Sequence, residues 1–181
     1  MSLPQARSPL VVPPDAIRLT SAFLRSMNGL ESCCFWFGRR QQTGSATVEA
    51  IVIPRQRNKS GHYHIEADAM LRVGDVARGR EWKNLAQVHS HPGTNVRHSG
   101  YDDEMANSRR ALSLIFPNYG MVPARWRFRG RLWRLWPGTF PREVGVHAFI
   151  EGKWTFLNPT EIGAALRLMP VPKPVLIDLR S

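Results

Sequence analysis

The sequence predicts a single α/β domain in which helices flank a mixed, curved β-sheet. Segments rich in β-branched and aromatic residues alternate along the chain with amphipathic helical segments, and 181 residues suffice for one real core. No internal repeat, low-complexity tract or second domain boundary interrupts this pattern. We expect an extended N-terminal arm at 1–9, the domain at 10–169 and a Pro-rich C-terminal tail at 170–181.

The first third of the chain predicts two strands after an opening strand and helix. Leu19, Phe23 and Met27 recur at helical spacing, Asp15 is the expected helix cap, and Gly29 suits the C′ position. The expected bounds are 10–12 for the first strand, 15–28 for the helix, and 33–38 and 47–54 for the next strands.

The middle and end of the chain continue the alternation. Asn158, Pro159 and Glu161 give a clear helix start, because they supply a cap, a proline at the first position and an acid at the third. The remaining expected elements are strands at 62–66, 85–88 and 112–116, helices at 67–80, 103–110 and 158–169, and a hairpin of 144–150 with 153–157. Residues 175–179 can pair on a sheet edge or reach a partner.

The stretch 89–103 carries the chemistry. His89 and His91 are two apart on a strand, so both side chains can point to the same face. Pro92 and Gly93 then end the strand. Asp102 follows near the start of a helix, and two imidazoles with a carboxylate form a usual three-ligand set for catalytic zinc.

Each half of this pattern also has a structural explanation. Ser99 and Asp102, three apart, can form only a capping box, and His89 and His91 can be satisfied core residues. The strand, the Pro-Gly break and the helix start occur in the right order for one site. The combination therefore favours a metal site.

These residues resemble a known family. His89-Ser90-His91-Pro92 followed by Ser99-Gly100-Tyr101-Asp102 is similar to the His-x-His-Pro…Ser-x-x-Asp signature of the JAMM (JAB/MPN-type) zinc metalloproteases. That family also carries an upstream glutamate, and Glu31 occupies the matching place. Residues 111–120 resemble the strand that follows the motif in prokaryotic members, so the resemblance covers about 10–168 and implies a JAB/MPN-like fold.

The resemblance implies a role for each residue. One Zn²⁺ held by His89, His91 and Asp102 would lower the pKa of its bound water to about 7 and polarise the scissile carbonyl. Glu31 would be the general base, and Ser99 would donate a hydrogen bond to the developing oxyanion.

Four other residues stay open as alternatives at this stage. Glu66 and Glu49 are weaker substitutes for Glu31, and Asp103 replaces Asp102 if the helix begins one residue later. His98 is a loop histidine beside Ser99, and it either touches substrate or is simply solvated.

The implied substrates are ubiquitin-like proteins joined through a C-terminal glycine to a lysine or another chain. The short spacing from Asp102 to Leu112 leaves little room for the insertion of linkage-specific eukaryotic deubiquitinases. Bacterial members accompany ubiquitin-like conjugation systems, often in antiviral defence. We therefore expect an isopeptidase or processing peptidase whose partners are a ubiquitin-like protein, its conjugates and other components of such a system.

The charge suggests a competing function. The chain has 25 Lys and Arg against 14 Asp and Glu, a net charge of +11, which indicates either acidic partners or simply a solubilising surface. A catalytically silent scaffold for nucleic acid or an acidic protein is the alternative, although the complete ligand set argues against it. The arginines and aromatics that alternate in 125–136 predict a basic face rather than base stacking.

Two further patterns bound the environment. Cys33 and Cys34 are adjacent, so they cannot build a disulfide framework and indicate a reducing compartment. The N-terminus has no apolar signal segment and no run reaches the length of a membrane span, so we expect a cytoplasmic protein.

His62 and His64 form a second His-x-His pair without a following carboxylate, so we interpret them as surface or core-edge histidines.

Overall fold

A computed structural model describes residues 9–41, 44–106, 108–121 and 140–181 of the chain. Twelve strands and four α-helices lie in these ranges, with one short 3₁₀ helix at Asn118–Gly120. The strands are β1 Leu10–Val12, β2 Cys33–Gly38, β3 Ala46–Thr47, β4 Ala50–Ile53, β5 Arg57–Asn58, β6 Tyr63–His64, β7 Lys83–Ser90, β8 Leu112–Phe116, β9 Gly145–Ile150, β10 Lys153–Phe156, β11 Leu166–Leu168 and β12 Val175–Asp178. The helices are α1 Pro14–Ser26, α2 Ala67–Arg78, α3 Gly100–Met105 and α4 Pro159–Ala165.

A seven-stranded mixed sheet forms the centre, in the order β10-β9-β8-β7-β2-β4-β12. β7 pairs parallel to β8 and antiparallel to β2, so it lies in the middle of the sheet. The strands β11, β1 and β3 form a small parallel sheet, and β5 and β6 form a separate hairpin. The predicted mixed α/β class is therefore confirmed.

The core has two apolar layers, one on each face of the sheet. Trp36 of β2 packs in the layer of α1, whereas Phe35 packs in the layer of α2, because neighbouring side chains on a strand point to opposite faces. The Trp36 Nε1–H donates to Thr20 Oγ1 at 2.9 Å, which satisfies the buried indole. β2 is buried along its whole length, in agreement with its continuous apolar sequence.

Several predicted helix ends differ from the structure, and among them α1 and α2 each end two residues early, at Ser26 and Arg78. Asp15 lies in the first turn of α1, which begins after Pro13, and bonds the Arg18 side chain instead of capping the helix. α3 ends at Met105, so the helix expected to continue to 110 stops earlier. Residues 166–169 were expected to end the last helix, but they leave it, and 166–168 form β11.

The β11 difference has a clear cause. Leu166 and Leu168 are buried while Arg167 is exposed, which is the alternation of a half-buried strand. β1 offers the pairing partner, in parallel register with β11. A tertiary pairing thus overrides the helical propensity of this leucine-rich segment.

The C-terminal segment joins the sheet. β12 pairs parallel to β4 at the sheet edge, so the edge pairing expected for 175–179 is observed. The hairpin turn expected at Glu151 and Gly152 is also observed, with both residues at positive φ. No helix in the described ranges is long and apolar enough to cross a bilayer. The predicted N-terminal arm, apart from residue 9, and the arginine–aromatic stretch 125–136 lie outside the described residues.

Candidate metal centre

β7 brings the two histidines to the site. His89 is 1% exposed and stands in register with Cys33 of β2 and Ile115 of β8. His91 follows the end of the strand, where its N–H donates to Phe116 O and its carbonyl accepts from the Tyr119 N–H. These bonds extend the strand path beyond Ser90, so both imidazoles lie on the same face.

α3 brings the carboxylate. Ser99 is its N-cap, and Ser99 Oγ accepts from the Asp102 N–H at 3.2 Å. The Ser99 N–H and hydroxyl both donate to Asp102 Oδ2, each at 2.7 Å. The capping box is therefore present, and it also holds the Asp102 carboxylate in a fixed direction.

The three side chains converge on one point. His89 Nε2 lies 3.1 Å from Asp102 Oδ1, and His91 Nε2 lies 3.4 Å from Asp102 Oδ2. The two Nε2 atoms are 3.2 Å apart, and the ligand atoms all lie within 4.8 Å of one another. Two nitrogens bound tetrahedrally to one Zn²⁺ would stand about 3.3 Å apart, so the donor set fits this metal.

The outer ring atom of His91 also fits metal binding. His91 Nδ1 lies 2.9 Å from Asn95 O, so this nitrogen carries a proton and Nε2 is the ring atom left for a metal. A carbonyl partner of this kind fixes the tautomer of metal-binding histidines. Asn95 is therefore a supporting residue that the motif alone did not reveal.

Glu31 lies beside the cluster, just before β2. It is 6% exposed, its N–H donates to Lys59 O at 2.8 Å, and the Asn58 side-chain amide donates to Glu31 O at 2.6 Å. The side chain lines a cavity of about 270 Å³ together with His91 and Asp102. Glu31, His91, Ser99 and Asp102 thus line one cavity. The fifth sequence-predicted residue, His89, is buried and contacts Asp102 instead of lining the cavity.

The alternative acids lie elsewhere. Glu49 bonds Arg39 and Trp82, and Glu66 pairs with Arg57. Neither lines the cavity.

Asp103 points away from the ligand cluster. Its carboxylate bonds His98 Nδ1 at 2.6 Å, so Asp102 is the carboxylate that faces His89 and His91.

The second histidine pair is not part of this cluster. His64 lies 3.6 Å from the Glu66 carboxylate at the surface, and His62 packs near the Tyr101 ring. Within the described ranges, His89, His91 and Asp102 are the one group of three such ligands close enough to share an ion.

Residues 13–135 match the family described as prokaryotic homologs of the JAB domain. This match covers more than half of the 181 residues. The chain belongs to that family.

Similar proteins agree with this assignment. The chain is 32% identical over 122 residues to "probable metalloprotease y4jG" of Sinorhizobium fredii (strain NBRC 101917 / NGR234), a match that covers 63% of this chain and 74% of that protein. Two solution structures share the fold. A Desulfitobacterium hafniense protein has a TM-score of 0.58 at 17% identity, covering 88% of this chain and 92% of its own. A Salinibacter ruber protein has a TM-score of 0.52 at 16% identity, covering 81% and 88%.

In this JAB-domain site, the imidazoles of His89 and His91 stabilise the ionised form of Asp102. Burial alone would raise the pKa of Asp102, but the bonds from His89 and His91 hold it well below its usual range. Burial lowers the pKa of His89 and thereby favours its neutral, metal-binding form. Burial opposes protonation of His91 too, but bonds to Asp102 and Asn95 leave its pKa raised.

Glu31 has the opposite shift from Asp102. Burial raises its pKa to about 7, with nearby His91 lowering it and the Asp102 charge raising it. A carboxyl with a pKa near neutrality can both accept and donate a proton at physiological pH. This property suits a general base that later acts as an acid.

Three further residues in or near the site were not predicted from the sequence. Arg97 and Tyr101 line the cavity, and the guanidinium carbon of Arg97 stands 4.9 Å from the centre of the Phe156 ring. His147, far along the chain, stacks on His98. No local signal in the sequence connects His147 to residue 98, because only the sheet brings β9 beside the loop of residues 92–98, which leads from His91 to α3.

Proposed function

We propose that this JAB-domain protein is a zinc-dependent peptidase or isopeptidase that cleaves after the C-terminal glycine of a ubiquitin-like protein. The convergence of His89, His91 and Asp102 within 4.8 Å, at a cavity that Glu31 also lines, carries the proposal. The metalloprotease name of the Sinorhizobium relative supports the hydrolase class.

The three ligands would hold the zinc, and two chain-specific features prepare them. Asp102 is fixed by two hydrogen bonds from Ser99, and His91 is fixed by Asn95. Zinc bound there supplies a Lewis acid for the scissile carbonyl and acidifies a water molecule. The low pKa of Asp102 keeps its carboxylate ionised for this task.

Glu31 is the proposed proton carrier. As a carboxylate it takes the proton of the attacking water, and as an acid it passes that proton to the leaving amine. The two-way transfer needs a pKa near the working pH, and burial raises the pKa of Glu31 to about 7.

Ser99 is the proposed oxyanion donor. Its hydroxyl now donates to Asp102 Oδ2 at 2.7 Å, so a turn of the hydroxyl group would redirect the proton towards a developing oxyanion. Removing one such donor costs roughly 3 kcal/mol of transition-state stabilisation in other hydrolases. The backbone N–H of Ser99 would keep its bond to Asp102 meanwhile.

The substrate class follows from the family resemblance and the site. The glycine at the cleaved bond is what the family resemblance implies, and a cavity of about 270 Å³ gives room for the residues on either side of that bond. The proposed partners are a ubiquitin-like protein, its conjugates and the other components of a bacterial conjugation system in the cytoplasm, including systems for antiviral defence.

Zinc content tests the metal centre first. We expect one zinc per chain in the purified protein, lost in His89→Ala and Asp102→Ala but kept in His64→Ala, whose side chain is 47% exposed at the surface. Folded wild-type protein that holds no zinc after zinc is supplied and excess removed would contradict the proposal. Salt-sensitive nucleic-acid binding by such a protein would support the basic scaffold instead.

Cleavage tests the activity. A cognate ubiquitin-like protein fused through its terminal glycine to a reporter should be cut by the wild type and not by Glu31→Gln. Activity that survives in Glu31→Gln would remove this residue from the mechanism. A zinc-loaded protein that cuts no such fusion would contradict the substrate class while leaving the metal centre intact.

A further inference from the structure

Four polar side chains, one of them in the loop of residues 92–98, form a connected cluster that we call the His98 cluster. His98 Nδ1 lies 2.6 Å from Asp103 Oδ1, and His98 Nε2 lies 2.8 Å from Ser113 Oγ. The His98 ring stacks on the His147 ring at 4.0 Å between centroids with 24° between planes. None of these contacts belongs to the JAMM signature, and His98 itself lines the cavity.

The connected acid, imidazole and hydroxyl resemble a Ser-His-Asp triad, but the burial of the serine argues against a nucleophile. Ser113 is 3% exposed in the middle of β8, between β7 and β9. It does not line the cavity, whereas an attacking hydroxyl must reach a substrate carbonyl. The cluster is therefore a structural connection between the loop and the sheet.

The same loop is fixed to β9 by its backbone. The His98 N–H donates to His147 Nε2 at 3.3 Å, which requires a His147 ring that is unprotonated at Nε2. Burial and neighbouring positive charges lower the pKa of His147 to about 3, so the ring is neutral at physiological pH. Two residues earlier in β9, Gly145 lies so close to Val96 that a Cβ on Gly145 would overlap the Val96 carbonyl oxygen.

We propose that His98 is a positioning residue that holds Ser99, and through Ser99 the ligand Asp102, in the orientation needed for metal binding. His98 directly precedes Ser99, and its ring joins the α3 residue Asp103 to the sheet residue Ser113. The Ser99 N–H and hydroxyl in turn both donate hydrogen bonds to Asp102 Oδ2. The part of this inference that concerns catalysis rests on the proposed function, whereas the part that concerns metal binding does not.

The test is a double-mutant cycle with zinc affinity as its readout. Loss of an outer partner of a metal ligand typically weakens metal binding by about 10- to 100-fold. We expect His98→Asn to weaken zinc binding about tenfold in a competition assay with a chelator. In a Ser99→Ala background the same change should cost clearly less, because the hydroxyl bond to Asp102 is already lost and only the bond from the backbone N–H of residue 99 remains. His64→Asn is the matched control and should leave the affinity unchanged.

Hydrogen exchange gives a second readout that needs neither zinc nor activity. In the metal-free protein, the Ser99 amide should exchange faster in His98→Asn than in wild type, because the bond to Asp102 opens more often. Asp103→Asn removes the charge from the contact with His98 at a side chain that is 53% exposed. This variant should therefore fold and show the same effect to a smaller extent.

Three results would overturn the inference. Additive losses of zinc affinity in the double variant would show that His98 does not act through Ser99. Unchanged exchange of the Ser99 amide in both His98→Asn and Asp103→Asn would remove the positioning role even if the wild type binds no zinc. Covalent labelling of Ser113 by a fluorophosphonate would make it a nucleophile instead. Failure to cleave ubiquitin-like fusions, with the cycle as expected, would contradict only the proposed function.

Discussion

The protonation state of Glu31 that favours folding differs from the one that the proposed reaction needs. The fold raises its pKa from 4.5 to about 7, chiefly by burial, so folding favours the neutral acid. The stability from this group is complete below pH 4.5 and is lost as the pH rises to about 7. At higher pH, the ionised carboxylate that the proposed reaction needs lowers the free energy of unfolding.

Glu31→Gln should therefore stabilise the metal-free protein more at pH 8 than at pH 5. We expect a gain on the order of 1 kcal/mol at pH 8, discounted for solvent near the cavity, together with loss of cleavage activity. Urea unfolding at both pH values measures the difference. Glu66→Gln, at a surface ion pair, is the control and should change little. An equal gain at both pH values would show that burial does not perturb Glu31 in this way.

His91 should couple zinc binding to proton release. Its pKa is raised in the metal-free site by Asp102 and Asn95, although burial opposes this, and a metal ligand must be deprotonated. Zinc affinity should fall as the pH drops below 7, by up to about tenfold per pH unit for each displaced proton. Calorimetry in two buffers of different ionisation enthalpy should detect net proton release at pH 6. A binding enthalpy independent of the buffer would contradict this prediction.

At the scale of elements, the correct predictions are those of strands and helix starts that depend on residues close together in the chain. His89 and His91 share a strand, and Ser99 and Asp102 share a helix start, so spacing alone predicted their convergence. The acid and helix start at Asn158 were equally local, and that capping box is present. The segment 166–168 was misassigned to a helix because its pairing with β1 joins residues about 150 positions apart, which no local pattern reports.

The β5–β6 hairpin is a second feature that the sequence did not reveal. The sequence predicts a strand at 62–66 but not its pairing with β5, and the side chains of Gln56 and Asn58 hold the backbone around Glu31. Gln56 donates to Cys33 O and accepts from the Cys33 N–H, both at 2.8 Å. Asn58 donates to Glu31 O at 2.6 Å and to Ser32 Oγ at 3.2 Å. Gln56 and Asn58 thus supply, to residues 31–33, hydrogen bonds of the kind that a neighbouring strand would supply.

Asn58→Ala should misplace Glu31 without disturbing the metal ligands. We expect kcat for the fusion substrate to fall about tenfold, with KM and zinc content unchanged, since a small shift of a catalytic group is costly. The lost hydrogen bonds should also lower the unfolding free energy by about 1–2 kcal/mol. Lys59→Ala is the control, because only its backbone carbonyl bonds Glu31. Zinc loss in Asn58→Ala would instead assign the hairpin to the metal site.

At the scale of the whole molecule, the sheet order separates the site from the chain's end. The metal ligands lie on and beside the central β7, whereas β12 occupies the far edge beyond β2 and β4. β12 donates from Val175 N to Glu49 O at 2.9 Å and from Leu179 N to Ile53 O at 2.8 Å. Ile177 and Leu179 pack against the α2 core layer. The segment predicted as a tail therefore completes the sheet.

Removal of 170–181 should destabilise the protein while sparing its metal site. Lost apolar burial by Ile177 and Leu179, with the hydrogen bonds of the edge pairing, is worth about 3 kcal/mol, or a Tm decrease of roughly 6–12 °C for a chain of this size. Zinc content should remain at the wild-type value, because two strands separate β12 from β7. Ile177→Ala should reproduce part of the Tm decrease, whereas Leu176→Ala, at a residue 47% exposed, should not. An unchanged Tm after truncation would mean that the edge pairing contributes nothing and that the segment is available to a partner.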